Sequence, residues 1–438
     1  MNAITAPPVA TGGFLARYEA ERDRLPGSAV ATIAALREAA AAGFRATGLP
    51  NRRSEAFRYT DLAPVAQAEF AAPAEVTDGV AVALPERRAP HRAVFVDGRF
   101  RADLSDLPGW AVPLKDAALT EGARRLGAEP GRAADLLNAM LFEDGISVDV
   151  PPGEEAGSLE LVHAASGTGE GEAVAFHPRH LVRLGAGASL TLVETATGPE
   201  GARHLHNPAF VVEVGEGARM THVRVQREPV GAFHLAHATV RVATDGTYDG
   251  FALNAGGRIA RHEVALTLDG PRAVAHLNGA QLAGDGQTAD VTTVVAHTHP
   301  EGVSRQTVKT VLAGRARGVF GGKILVERVA QKTDGYQMNQ ALLLSERAEM
   351  NSKPQLEIYA DDVKCSHGAT VGALDEDAMF YLRSRGIPGD AARAMLVRAF
   401  LAEATEGVAD EGARAALEEA VEAWWQRHGD AALAGGAA

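Results

Sequence analysis

Cys365 is the only cysteine in a chain of 438 residues, and it stands two positions before His367 in the run Lys353-Pro-Gln-Leu-Glu-Ile-Tyr-Ala-Asp-Asp-Val-Lys-Cys-Ser-His-Gly-Ala-Thr370. On a strand, side chains alternate between faces, so the thiol and the imidazole project from one side about 7 Å apart. That spacing suits two soft or borderline metal ligands. Two ligands do not close a zinc or iron–sulfur site, which ordinarily takes four. The missing donors must come from elsewhere, and the pattern points to a partner chain. Asp361 and Asp362 stand beside the pair and add hard oxygen ligands. Against this, a free cysteine is most often a small buried hydrophobe, and a lone histidine is most often structural. His297 and His299 repeat the two-residue spacing, but Pro300 takes the chain out of a sheet and the pair reads as solvent-facing structure. The other histidines, including His204, His206, His222, His234, His237 and His262, are spread through the middle of the chain without a ligand triad.

The elements that would position these residues differ between the ends and the middle. From Gly13 to Thr47 apolar residues recur at helical intervals, as at Val30, Ile33, Leu36 and Ala40, with a break at Leu25-Pro26-Gly27. A short segment from Arg52 to Leu62 follows, read as structural, and then a strand over Ala93–Gly98 in an otherwise mixed, irregular region. From Leu159 the helical period gives way to short β-prone runs separated by turn residues. Val182-Arg-Leu-Gly-Ala-Gly-Ala-Ser-Leu-Thr-Leu192 matches Val212-Glu-Val-Gly-Glu-Gly-Ala-Arg-Met-Thr-His222 at Gly185/Gly215, Gly187/Gly217 and Ala188/Ala218, 30 residues apart. Weaker echoes follow at 242–248, 268–273 and 344–350. Such a recurrence marks stacked units that bury their apolar faces against neighbours. Short turns, and an aromatic content of only 5%, favour a right-handed parallel β-helix over propeller blades.

The expected fold is therefore mainly β, with a β-helix core over 157–373, an N-terminal helical and mixed region over 1–156 and a C-terminal helical domain over 374–438. In the last, Asp375 caps a helix that Gly386 ends. A second starts at Asp390 and presents Met395, Leu396, Phe400 and Leu401, and a third spans 410–428 with Leu417, Val421, Trp424 and Trp425. The tail from Gly429 is expected to be disordered.

Composition narrows the function. A net charge of −13 argues against a sequence-independent hold on nucleic acid, and the Arg52-Arg53 and Arg315–Arg328 clusters read as solvated faces. One cysteine excludes an internal disulfide framework, and no run resembles a signal peptide or membrane span. A reducing, cytoplasmic setting follows. Gly314-Arg-Ala-Arg-Gly-Val-Phe-Gly-Gly-Lys323 lacks the Gly-Lys-Ser/Thr ending of a phosphate loop and reads as a coil turn. No nucleophile elbow or zincin motif is present.

From Ser304 to Phe400 the chain resembles the SufB/SufD family of iron–sulfur cluster assembly proteins. The likeness is carried by the Lys353–Gly372 run, Arg317-Gly-Val-Phe-Gly-Gly322, Ala330-Gln331, Leu342-Leu-Leu-Ser345, Phe380-Tyr-Leu-Arg-Ser-Arg-Gly-Ile387 and Glu55-Ala-Phe-Arg-Tyr-Thr-Asp-Leu62. In the last, Phe57 stands where the family commonly has Trp. The resemblance implies a non-enzymatic scaffold whose β-helix pairs with SufB, or with a second copy when isolated, and whose C-terminal helices dock the ATPase SufC, with Phe380, Tyr381, Arg385 and Phe400 as contact residues. It implies a transient iron–sulfur cluster or iron shared with SufB, no tightly held cofactor, and His367 as the metal-facing residue, with Cys365 as second ligand or mere neighbour. No nucleic acid or membrane partner is implied. A single thiol speaks against the principal cluster-holding role, which calls for several. The rival reading is a β-helix carbohydrate-active enzyme, which would need paired carboxylates or a Ca²⁺ site along an exposed groove.

Overall fold

Gly187 and Gly217 have φ of 68° and 62°, a region that strains any residue with a Cβ, and each turns the chain from one strand into the next. Gly185 and Gly215 have a different reason: a Cβ there would lie 2.5 Å from Pro152 N and 2.6 Å from Leu184 O of the preceding coil. With the turns so placed, Val182 pairs with Val212 and Leu190 with Met220. Where later coils lack glycine, Asp245, Arg272, Glu301 and Lys332 take the same positive φ.

The outcome, in a computed structural model that describes residues 11, 13–74, 82–117, 127, 128, 131–167 and 173–434, is a parallel β-solenoid with two long ladders. One runs through Ile146–Val150, Arg179–Leu184, Ala209–Val214, Phe233–Val242, Ile259–Leu268, Thr288–His297, Arg317–Val326 and Glu349–Ile358. The other runs through His91–Val96, Glu155–Ala164, Ser189–Thr197, Arg219–Gln226, Thr247–Asn254, Val274–Ala283, Val303–Leu312, Asp334–Leu343 and Lys364–Gly372. The ladders thus reach upstream of the boundary expected at 157, because His91–Val96 pairs in parallel with Glu155–Ala164. The Gly314–Lys323 run is mostly strand rather than turn. A Cβ on Gly322 would meet the Phe320 ring at 2.7 Å, so this glycine makes room inside the coil.

Alternation decides what each strand face meets. Inward side chains of both ladders meet in one cluster that includes Val148, Leu161, Val182, Leu192, Phe210, Val240 and Leu266. Outward side chains of the first ladder, Leu235 and Ile259 among them, are covered by helices Phe14–Glu21, Ala31–Thr47 and Ala133–Leu141. The last of these is buried at every residue, Asp135 and Asn138 included, and was not foreseen from the sequence. Residues 55–62 also lie on this side. Phe57 stacks on the Arg261 guanidinium, 4.0 Å from the ring centroid, and Arg261 pairs with Glu263 at 2.6 Å and with Asp290.

Outward side chains of the second ladder, from Val193 to Leu344, are covered by the C-terminal helices Gly389–Thr405 and Glu411–Ala434. The C-terminal unit is therefore laid back along the solenoid. Asp375 accepts a hydrogen bond from Ala378 N at 2.9 Å and caps Glu376–Ser384, and Gly386 is left-handed with φ 82°. Two expectations are corrected. Pro388, not Asp390, is the cap of the second helix, because Pro388 is still non-helical (φ −54°, ψ 146°) and Asp390 already falls inside the first turn. The buried stripe of that helix is Ala394, Val397, Leu401 and Ala404, with Met395 exposed, because the small residues allow close approach to the strands. The third helix continues to Ala434, into the segment expected to be disordered; residues 435–438 lie outside the described residues.

The two ends of the solenoid differ. At the first, Ala111–Pro113 and Arg99–Phe100 pair antiparallel with the ladder strands and end them, and Phe100, Leu107 and Trp110 pack on the core. At the last, Glu349–Ile358 and Lys364–Gly372 each have, among the described residues, a ladder partner on one side only.

Trp424, 1% exposed, fastens the last helix to the strands. Trp424→Ala is expected to cost about 3–5 kcal/mol, measured by denaturant unfolding, and to speed hydrogen exchange in helix 411–434 before exchange in the ladders. Uniform exchange across both would contradict this separate attachment.

Candidate functional site

Strand Lys364–Gly372 carries the Cys365 and His367 pair, as alternation required. Cys365 faces inward and packs, alongside Leu356 and Val363, against the cluster of Ile324, Val326, Ala330 and Ala360. Burial, with Asp334 nearby, pushes its thiol above the ordinary range despite a backbone hydrogen bond, so the thiol is protonated at neutral pH and poorly prepared to ligate. His367 faces the same way but is exposed, because no further coil covers it. It pairs in register with Gln337 of the coil beneath, and Ala369 pairs with Asn339. Gln337 and Asn339 are fully buried, yet both polar atoms of each lack a hydrogen-bond partner. Asp361 and Asp362 are exposed on the turn into this strand. Around the end lie exposed Ile358, Tyr359 and Val371.

Phe380 and Tyr381 are 74% and 55% exposed on helix Glu376–Ser384, none of whose residues is buried. The Arg385 guanidinium lies over the Tyr381 ring at 4.7 Å. Phe400 is apart from them: it packs against the interface between helix and solenoid, with the Lys309 ammonium 4.5 Å from its ring centroid. His297 and His299 do not share a strand face. His297 is the last residue of its strand, fully buried, with its Nε2 2.9 Å from Ser304 Oγ, whereas His299 lies beyond the strand.

The structure also gathers groups that the sequence left scattered. His163, His180, His204, His206, His222, His234 and His262 all point into the solenoid and are buried, together with Glu194 and Glu228. Their spacing hides this. His206 and His234 are 28 residues apart in the chain, yet they are register partners on adjacent strands. The expectation of no ligand triad is therefore corrected: His206, Glu228 and His234 place ligand atoms within 4.8 Å of one another. A histidine recurring at about the coil length was the available signal.

The two carboxylates are held differently. Burial opposes ionisation of Glu194, but Arg224, whose Nε is 2.7 Å away, reverses this and holds the carboxyl well below its usual range. Burial likewise opposes ionisation of Glu228, but His234 and His206 hold it well below that range. Its neighbours are His204 Nε2 and His206 Nδ1 at 3.0 Å, Gln226 Nε2 at 3.1 Å and His234 Nδ1 at 2.7 Å. Among the described residues no arginine or lysine pairs with it. A cavity of about 20 Å³ lies nearby among His222, Arg224, Tyr248 and His262, room for about one water.

The fold is a parallel β-solenoid coated by helices, with an interior part apolar and part polar and one uncovered end. Comparison with known proteins gives its family. The SUF system FeS cluster assembly SufBD core domain matches residues 166–400, and the SufBD protein N-terminal region matches 10–80. The iron–sulfur cluster assembly protein SufD of Escherichia coli strain K12 is 35% identical over 374 residues, 84% of this chain and 87% of that protein. An iron–sulfur cluster assembly SufBD family protein of Synechocystis sp. is 30% identical over 87% of this chain and 89% of its own. Protein ABCI7, chloroplastic, of Arabidopsis thaliana is 31% identical over 85% and 82%. The chain belongs to the SufB/SufD family of iron–sulfur cluster assembly proteins and is SufD-like. Among the described residues no helix is long and apolar enough to cross a membrane.

Burial pushes His177 and His180 down to about 3 and His297 to about 4, so all three are neutral when folded. Unfolding restores ordinary basicity near 6.5, and the unfolded chain then binds more protons. Their contribution is complete above about pH 6.5 and is lost as pH falls from there toward 4 and below. Unfolding free energy measured in denaturant is expected to fall between about pH 7 and pH 5, with a shallower slope in His297→Gln by up to about 1.4 kcal/mol per pH unit. A flat profile in the wild type would contradict the neutral interior.

Proposed function

We propose that this protein is a non-catalytic scaffold subunit of the SUF assembly complex, presenting the open end of its solenoid to SufB and its C-terminal helices to SufC. The observation that carries this reading is the uncapped last coil. Strand Lys364–Gly372 offers one unpaired edge with exposed Val371 and His367, over buried amides that have no partner. A bare edge is an aggregation risk that proteins ordinarily cover, and adding a strand satisfies it. A partner seated there would enclose His367 and turn an exposed imidazole into one donor of a shared site, whose remaining ligands the partner supplies.

In this reading iron or a nascent cluster is cargo held transiently between the two subunits in the cytoplasm. His367 provides the ligand, and Cys365 supports the strand as an apolar plug. The exposed Phe380 and Tyr381, with Arg385 stacked beside them, form the patch for SufC, while Phe400 holds the helix to the solenoid. ATP-driven movement of the docked ATPase would reach the last coils through helix 389–405. An isolated chain would satisfy the same edge with a second copy. The buried carboxylates Glu194 and Glu228 face the solenoid interior, which favours this reading over a carbohydrate enzyme working along an outer groove.

The test is co-purification with SufB and SufC followed by anaerobic iron and sulfide analysis. His367→Ala is expected to leave the complex assembled and to lower cluster loading on the order of tenfold or more; normal loading would remove His367 from the mechanism. Phe380→Asp with Tyr381→Ala is expected to lose SufC and keep SufB. Retention of SufC would move the docking site elsewhere.

A further inference from the structure

The Glu228 group lies several coils from the open end, and nothing in the assembly reading requires it. Its chemistry is unusual for a solenoid interior. A buried carboxylate carries a heavy desolvation cost unless a cation faces it. Glu194 meets that cost with Arg224, and Asp290 with Arg261. Among the described residues Glu228 has only imidazoles and one amide.

The imidazoles are themselves left incomplete. Glu228 Oε1 is shared by His204 and His206, yet His206 Nε2 is buried without a partner. His234 Nδ1 lies 2.7 Å from Glu228 Oε2, but outside hydrogen-bonding geometry, so it too is without a hydrogen bond. Next to them His163 has neither ring nitrogen bonded, and its ring centroid is 4.8 Å from that of His206. These residues are at most 1% exposed. Several buried nitrogens without partners around one carboxylate are costly in an empty site. A cation in their midst would satisfy them together.

We infer that His206, Glu228 and His234, with His163 as fourth donor, form an internal site for a divalent transition-metal ion such as Zn²⁺ or Fe²⁺. Two imidazoles and a carboxylate are a donor set both ions accept. The ligand atoms of His206, Glu228 and His234 lie within 4.8 Å of one another, and donors sharing one tetrahedral ion at roughly 2.0–2.2 Å stand about 3.3–3.6 Å apart. Side-chain rotations would close the site, with His163, whose ring centroid is 4.8 Å from that of His206, turning in as the fourth. His204 and Gln226 hold the carboxylate from outside, as supporting partners do at metal centres. Burial leaves the ion no open coordination position, and the site is structural: it ties Arg219–Gln226 and its following loop to His204–His206 and Phe233–Val242.

The test uses the full chain, stripped with chelator, and Zn²⁺ alone, offered both to the folded protein and during refolding because the site is enclosed. About one Zn²⁺ per chain is expected after gel filtration, with higher thermal stability. Glu228→Gln and His206→Gln are expected to lower affinity at least about tenfold, with unchanged near-ultraviolet circular dichroism. X-ray absorption of the loaded wild type, which needs no variant, should show only nitrogen and oxygen neighbours with imidazole scattering. No uptake by either route, uptake undiminished in both variants, or a sulfur neighbour would each overturn the site. The first would leave a hydrogen-bonded cluster and nothing more.

Discussion

Parallel, in-register stacking of successive coils is the constraint on which the rest of this protein depends. Each coil finds its backbone partners only in the coils before and after it, so residues some 26 to 34 positions apart become neighbours on one wall. That rule builds the apolar cluster, where Val182 meets Val212 and then Val240. It also produces the interior chemistry, where His206 meets His234. And it creates an unavoidable problem at the ends, because a stack has a first and a last coil. Antiparallel strands and Trp110 settle the first; the last is left open.

The interior is divided between oil and charge. On one side, aliphatic side chains of both ladders interlock; on the other, imidazoles, two carboxylates and Arg224 share a space with almost no room for water. Buried ionised groups are tolerable only when their charges and hydrogen-bonding atoms are matched. Glu194 and Arg224 are matched by a forked contact. On the outer wall Arg261 is matched by Glu263 and Asp290 and sealed by Phe57, which makes the N-terminal segment a lid over a charge network and explains why an aromatic is needed there.

The open end inverts the roles first suggested by the Cys365 and His367 pair. Both residues sit on one face of one strand with the coil beneath under each, yet apolar side chains of the neighbouring ladder reach only the first of them. Cys365 is tucked against Ile324 and Val326 and keeps its proton, while His367 stands clear above Gln337. Two residues apart, they belong to different environments, one packed against the core and one on the exposed end of the solenoid.

Much was legible in the sequence because it was local. The positive-φ glycines at 187/217, the caps at Asp375 and Gly386 and the helical hairpin around Pro26 follow from short-range sterics and hydrogen bonding, which neighbouring residues suffice to specify, while the Lys353–Gly372 run was legible as a family likeness. The second C-terminal helix was misread at Asp390 and Met395, since which face is buried depends on the strands it meets. The histidine chamber was illegible for a related reason. No spacing within one coil brings His163, His206, Glu228 and His234 together; their meeting depends on coil length and on which face of each strand turns inward, summed over several coils. The sequence by itself determined the existence of a stack, its glycine turns and the helices at either end, though not helix Ala133–Leu141 or strand Arg317–Val326. Only the tertiary structure decided which distant side chains share the interior and that the final coil remains uncovered, because both are properties of register, and register exists only once the coils are stacked.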